Sequence, residues 1–261
     1  MTSTMSVAVD GRLTVHPWLR AEISQAGRGD ALSVLGEGVF SLVVALSKAR
    51  GLASFSGDEP PSVRWGHNDA GGDWTQDGTV RRLAWFQCAV PEQPLEGRRL
   101  PIQPAFSVLE DLLSLTGAVD LRAVHAVVPI AAAPDGRVDL AAIAHLFDFA
   151  DPRTKRAVSV ALTASGSRPS NLQSLWGLVQ TRSLDGIVAE NIELGTLPAI
   201  EPPYGMPWLL GPGEQVQLAM RCALPTWSMD AASWLVEILI EGLRELDVGG
   251  SVAISVLTHS D

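Results

Sequence analysis

Residues 88–91 read Cys-Ala-Val-Pro and residues 222–225 read Cys-Ala-Leu-Pro, and the interval between them, 222 minus 88 or 134 residues, also separates Trp74 from Trp208. A fixed offset shared by independent marks is the signature of one structural unit written twice, each copy carrying the same order of elements. The residues around the second phrase alternate. In Glu214 to Leu224, Val216, Leu218, Met220, Cys222 and Leu224 fall on one side, and Gln217, Ala219, Arg221 and Ala223 on the other, the period of a half-buried strand. The run Val80 to Val90 divides the same way, with Ala84, Phe86, Cys88 and Val90 opposite Leu83, Trp85, Gln87 and Ala89. Both cysteines therefore belong to the helix-facing core.

The flanking sequence supplies the other elements. Copy one is expected to open with a strand over Leu19 to Gln25, turn at Arg28-Gly29-Asp30, and enter a helix with Leu35, Val39, Leu42, Val43 and Leu46 at helical spacing. Gly51 is placed to stop that helix, a short strand follows at Leu52 to Ser56, and a Pro/Gly/Asp-rich connection spans Gly57 to Thr79. After the Cys88 strand, a helix is expected from Pro104 to Gly117 through Phe106, Leu109, Leu112 and Leu113, then a closing strand from Leu121 to Ile130. Copy two repeats the order: a strand at Arg156 to Ala164, a helix after Ser170 with Leu172, Leu175, Trp176 and Val179 on one face, strands at Gly186 to Leu194 and Glu214 to Leu224, a helix capped by Ser228, and a strand at Val252 to Thr258.

Each copy thus reads β-α-β-β-α-β, the order of the ferredoxin-like split-βαβ motif. The sequence predicts an α+β protein with repeat 1 over residues 10–131, a partly helical connector over 132–151 and repeat 2 over 152–261. Right-handed crossovers place both helices of a unit on one face of its sheet. The closing strands, Ala123 to Val128 and Val252 to Leu257, are apolar at nearly every position, so both their faces are expected to be buried. The economical partner for the second face is the other copy, sheet against sheet, in a pseudo-dimer that resembles the dimeric α+β barrels at the level of fold. The alternative is side-by-side copies in one continuous sheet.

Composition narrows the function classes. The chain is 46% hydrophobic and 18% charged, with a formal net charge of −10 and only two lysines, Lys48 and Lys155. An acidic chain without a basic run is a poor match for the phosphate backbone of nucleic acid, and the arginine pairs Arg81-Arg82 and Arg98-Arg99 are too short to change that. No uninterrupted apolar stretch reaches the length of a membrane helix, and Met1 to Asp10 lacks the pattern of a signal peptide, so a cytoplasmic protein is expected. Two distant cysteines without a CxxC offer neither a disulfide framework nor a zinc site. Gly36-Glu37-Gly38 lacks a third glycine at Ser41 and implies no phosphate loop. No cofactor and no metal are expected.

Strand parity collects the polar residues on the face away from the helices: Glu22, Trp85, Gln87, His125, Ser159 and Arg221, with Ser255 as the counterpart of His125 in copy two. If two sheets face each other these groups converge in a cavity, the usual form of a small-molecule site. Histidine is the side chain suited to acid–base work near neutral pH, which makes His125 the candidate; Glu22 can orient it or act as base, and Arg221 can hold a carboxylate or oxyanion. These three are the candidate catalytic residues. Trp85, Gln87, Ser159, Trp74 and Trp208 are the candidate ligand contacts, the last two expected as core or lid contacts at the two cavity mouths. An isolated histidine on an apolar strand is, against that, more often a satisfied structural residue, and Glu22 with Arg221 can equally be a structural ion pair.

A second region, Trp65 to Trp74, holds His67, Asp69 and Asp73, residue types that ligate divalent ions. The same residues are what an exposed hairpin tip uses, and the matching stretch Pro202-Pro203-Tyr204-Gly205 has neither His nor Asp. Two readings of function follow. One is a small-molecule binding protein or cofactor-independent enzyme acting on an apolar or aromatic metabolite between the repeats. The other is a non-catalytic interaction or assembly protein, a homo-oligomer or the partner of another protein, using the open sheet faces and the Trp-bearing loops.

Overall fold

The computed structural model describes residues 3–26, 38–50, 52, 66–90, 100–130, 155–165, 172–183, 187–193 and 215–258. In chain order the described elements are β1 (Ser3–Val15), α1 (Pro17–Ala26), α2 (Val39–Ala49), β2 (Gly66–Gly71), β3 (Arg81–Val90), α3 (Ile102–Thr116), β4 (Gly117–Pro129), β5 (Arg156–Ser165), α4 (Leu172–Arg182), β6 (Val188–Glu193), β7 (Gln215–Leu224), α5 (Met229–Glu245) and β8 (Ser251–Thr258). The chain is a mixed α+β protein. Its strands form one eight-stranded sheet in the order β2-β3-β1-β4-β8-β5-β7-β6, antiparallel at every junction. Read outward from the β4–β8 junction, the two sides run β4-β1-β3-β2 and β8-β5-β7-β6.

This arrangement corrects the expected packing. The halves do not face each other as two sheets or close into a barrel; they meet edge to edge through β4 and β8, which pair from Ala123↔Leu257 to Pro129↔Ser251. The closing strands are buried as anticipated, with Ala123 to Val128 and Val252 to Val256 all buried. Apolar residues on both faces of a strand record that both are covered and not what covers them. Side-by-side pairing satisfies the same pattern, since it makes these the two innermost strands.

The opening of the chain also differs from expectation. Leu19 to Gln25, read as the first strand, lies in helix α1, which starts at Pro17, where the absence of an N–H costs nothing. The true first strand precedes it and begins at Ser3, ahead of the expected repeat boundary. Met5, Val7 and Val9 alternate there with Ser6, Ala8 and Asp10. The second strand is Gly66–Gly71, inside the stretch expected to be a connection. The expected strand at Leu52 to Ser56, apart from Leu52, the connector at 132–151, and Trp208 lie outside the described residues.

Elsewhere the elements follow the reading. Met5, Val7 and Val9 from β1, Phe86 and Cys88 from β3, and Val124, Ala126 and Val128 from β4 share a core with Val158, Val160, Leu162, Met220, Cys222, Val252, Ile254 and Val256. Neither cysteine is in a disulfide and both are buried, and burial pushes the Cys88 thiol pKa up, away from the thiolate that a nucleophile needs. The helices cover this side as a row in which α2 packs on α3, α3 on α5 and α5 on α4. Ser228 caps α5, its hydroxyl accepting from the Ala231 N–H at 3.2 Å, and Ala231 to Leu243 are buried without interruption. A helix buried all round must satisfy its polar groups internally. Glu237 accepts from the Gln103 N–H at the start of α3, 3.2 Å away, and Glu241 pairs with Arg182.

Gly117 joins α3 directly to β4, and a Cβ there would stand 2.2 Å from the Thr14 carbonyl oxygen. Gly177, on α4, has open space around the same position. Gly117→Val is expected to lower unfolding stability by about 2 kcal/mol through forced separation of β1 and β4, whereas Gly177→Ala should raise it by about 0.5 kcal/mol through helix propensity. Urea denaturation of both variants checks the pair.

Candidate functional site

The polar side chains of the second sheet face are set by strand register. Trp85, Ala8, His125, Ser255 and Ala161 occupy one rung across five neighbouring strands, and Arg82, Asp10, Ala123, Leu257, Ser159 and Arg221 the next-but-one. His125 and Ser255 hold matching places in the two halves. Each stands opposite an alanine of its own half's first strand, Ala8 or Ala161, and they pair with each other across the junction.

A buried hydrogen-bonded chain runs through this point. His125 Nδ1 lies 2.8 Å from Ser255 Oγ, and His125 Nε2 lies 3.1 Å from Asp10 Oδ2. Arg82 completes it, donating to Asp10 from Nε at 2.7 Å and from Nη2 at 3.2 Å. The register of β1 is irregular against β3 at Val9/Asp10 and against β4 at Asp10/Gly11. Such irregularities re-aim a side chain; here the carboxylate reaches His125 diagonally, although Asp10 pairs with Ala123. With Nε2–H donating to Asp10, Nδ1 is left to exchange a hydrogen bond with the Ser255 hydroxyl, which can donate or accept, so both ring nitrogens are satisfied.

The order hydroxyl, imidazole, carboxylate is that of an activated nucleophile. Its surroundings oppose that use. His125 is 1% exposed and Ser255 8%, and β8 is paired on both sides, so the Ser255 backbone N–H is committed to the ladder and supplies no oxyanion donor. The array is a clamp between the two halves, and its worth lies in filling every hydrogen-bonding position of groups that burial would otherwise penalise. Burial raises the Asp10 carboxyl, but the hydrogen bond and charge of His125, with those of Arg82, outweigh it and hold the pKa at about 2.

The expected site residues divide. His125, Trp85, Gln87, Ser159 and Arg221 do lie on β4, β3, β5 and β7, with Ser159 and Arg221 directly paired. Gln87, His125 and Ser159 are buried, and Arg221 is exposed. Glu22 is not with them: it is an exposed residue of helix α1, because the segment carrying it is not a strand. Of the core and lid roles expected for Trp74, it takes the core one, its indole N–H donating to the Leu83 carbonyl at 2.7 Å. Asp10 and Ser6, whose hydroxyl donates to the Phe86 carbonyl at 3.1 Å, were missed with the strand β1 that places them, and Arg82, on the expected strand β3, was read only as half of a surface arginine pair. The signal for Asp10 and Ser6 was the alternation from Met5 to Asp10.

The His67 region resolves differently. His67 Nε2 lies 2.9 Å from the Ser47 hydroxyl, and burial with the nearby Lys48 charge lowers its pKa. Asp69 accepts from the Ala70 N–H, while Asp73 pairs with Arg81 at 2.7 Å. Among the described residues no three His, Cys, Asp or Glu side chains come together as metal ligands, and no described helix is long and apolar enough to cross a membrane.

A solvent-connected groove of about 300 Å³ opens on the helix side, between the halves. Glu110, Leu113 and Ser114 of α3 and Gly117, Val119 and Leu121 of β4 form one wall, and Trp227, Ser228 and Met229 at the start of α5 form the other. The Trp227 indole N–H donates to the Leu121 carbonyl at 2.8 Å, fixing the ring across the boundary. No family model, no curated protein and no solved structure matches the chain.

Two outcomes test the clamp. The Asp10 pKa is lower folded than unfolded, so its stabilisation is complete above about pH 4 and disappears as pH falls toward 2; about 2 kcal/mol should be lost over that range in urea titrations and be missing in Asp10→Asn. Ser255→Ala should cost about 1 kcal/mol, and a double-mutant cycle with His125→Phe should show coupling above about 0.5 kcal/mol. Additive effects would deny the clamp.

Proposed function

We propose that the chain is a tandem ferredoxin-like duplication that acts as a small-molecule binding protein, its ligand an apolar or aromatic body held in the groove between the halves. The observation that carries this reading is the groove itself, about 300 Å³, with walls drawn from both halves and lined by Leu113, Val119, Leu121, Trp227 and Met229. That volume meets the lower bound of ordinary ligand sites, which are mainly apolar with a few polar groups. The duplication takes its support from the matching strand orders outward from β4–β8 and from the repeated Cys-Ala-Val/Leu-Pro phrase. Binding is favoured over turnover because the hydroxyl–imidazole–carboxylate array is sealed inside the sheet.

Under this reading the site moves from the second sheet face, where strand parity had gathered candidates, to the helix side. A second reading, assembly through an exposed surface, takes support from a shallow depression on α2 lined by Phe40, Val44 and Lys48, where Phe40 is 40% exposed. Sedimentation distinguishes it: a self-associating chain that Phe40→Ser renders monomeric supports assembly. For the groove, titration with indole or 2-naphthol should give saturable binding by calorimetry. Val119→Trp, which fills the groove from its β4 wall, should abolish binding while leaving the thermal transition within a few degrees. Absence of binding by the wild-type chain sinks the proposal.

A further inference from the structure

We infer that the ligand of this groove carries a positive charge, an organic amine with an apolar or aromatic body; this rests on the groove being the binding site. Glu110 lines the groove, and the charged groups acting on it are Asp230 in the first turn of α5, Asp111 beside it on α3, and Arg50 at the end of α2. Arg50 is engaged elsewhere, its Nε held at 2.6 Å by Asp111 Oδ2. Among the described residues no ion pair involves Glu110 or Asp230. Among the described residues Glu110 is the one charged side chain in the lining of the groove, and a cation seated beside it over the apolar floor relieves the repulsion it feels from Asp230 and Asp111.

The other polar groups at the mouth are spent. Trp227 N–H is bound to Leu121, and the Ser228 hydroxyl caps α5, which leaves the Glu110 carboxylate to choose the ligand's charge. A fixed indole adds to this choice, because an ammonium held near an aromatic face gains from its quadrupole. The Glu110 pKa is raised, first by burial and then by Asp230 and Asp111 against the opposing Arg50, the condition of a carboxylate short of a counter-charge. The chain's net charge of −10 draws cations to the surface from longer range.

The test compares probes of one shape and different charge on the full chain at pH 7.5: tryptamine against tryptophol, and phenethylamine against 2-phenylethanol. Calorimetry should show each amine binding at least about tenfold tighter than its alcohol, with the preference shrinking in Glu110→Gln and in Asp230→Asn and at high salt. It should also fade as pH falls and Glu110 takes up a proton. Glu110 is outside the buried core, so its substitution is not expected to disturb folding, and Asp230→Asn provides an independent arm. Equal binding of amine and alcohol, both lost in Val119→Trp, overturns the charge inference and leaves the groove standing. If neither probe class binds, the groove reading fails and the inference falls with it.

Discussion

The antiparallel pairing of β4 with β8 is the constraint on which the rest of the molecule depends. Seven registered pairs from Ala123↔Leu257 to Pro129↔Ser251 turn two short sheets into one. Everything that crosses between the halves is then placed by it. In the helix row, α3 meets α5, and Glu237 reaches the start of α3. On the other face, His125 and Ser255 are brought onto one rung. Ladder bonds at a strand edge are unsatisfied without a partner, so an innermost strand that is apolar on both faces is stable only with its neighbour in place.

That junction changes what the polar residues can do. Strand parity assigned His125, Gln87 and Ser159 to a common face correctly, yet a shared face is a site only where solvent or a ligand reaches it. Here the central rungs are buried. His125 is saturated by Ser255 and Asp10, and Asp10 in turn by Arg82. Such a network holds strands in register because each member would pay a desolvation penalty if its partner slipped. The boundary between the halves remains open on the helix side, where Trp227 and Val119 line a groove.

Strands β3, β5, β7 and β8, and helices α2, α3, α4 and α5, were legible as local patterns. Alternation and 3.6-residue spacing depend on neighbours in the chain alone. The misreading of Leu19 to Gln25 has a local cause too: a short amphipathic run fits either period, and Pro17 at the first helical position was the signal that decides it. Missing Ser3–Val15 as a strand removed Asp10 from view, and with it half of the histidine's environment. Glu22 was assigned to the sheet face only because its segment was taken for a strand.

By itself the sequence determined the α+β class, the order of most elements, the burial of Cys88 and Cys222, and the side of the sheet on which each strand residue lies. These are properties of periodicity, and periodicity is written one neighbour at a time. Whether the halves stack or join edge to edge, and whether a histidine on a shared face is sealed or accessible, were decided only in the tertiary structure. The reason is physical: an apolar side chain gains the same free energy from any covering surface, so its identity does not encode which surface covers it. Ladder pairing and register do, and they exist only once distant strands have met.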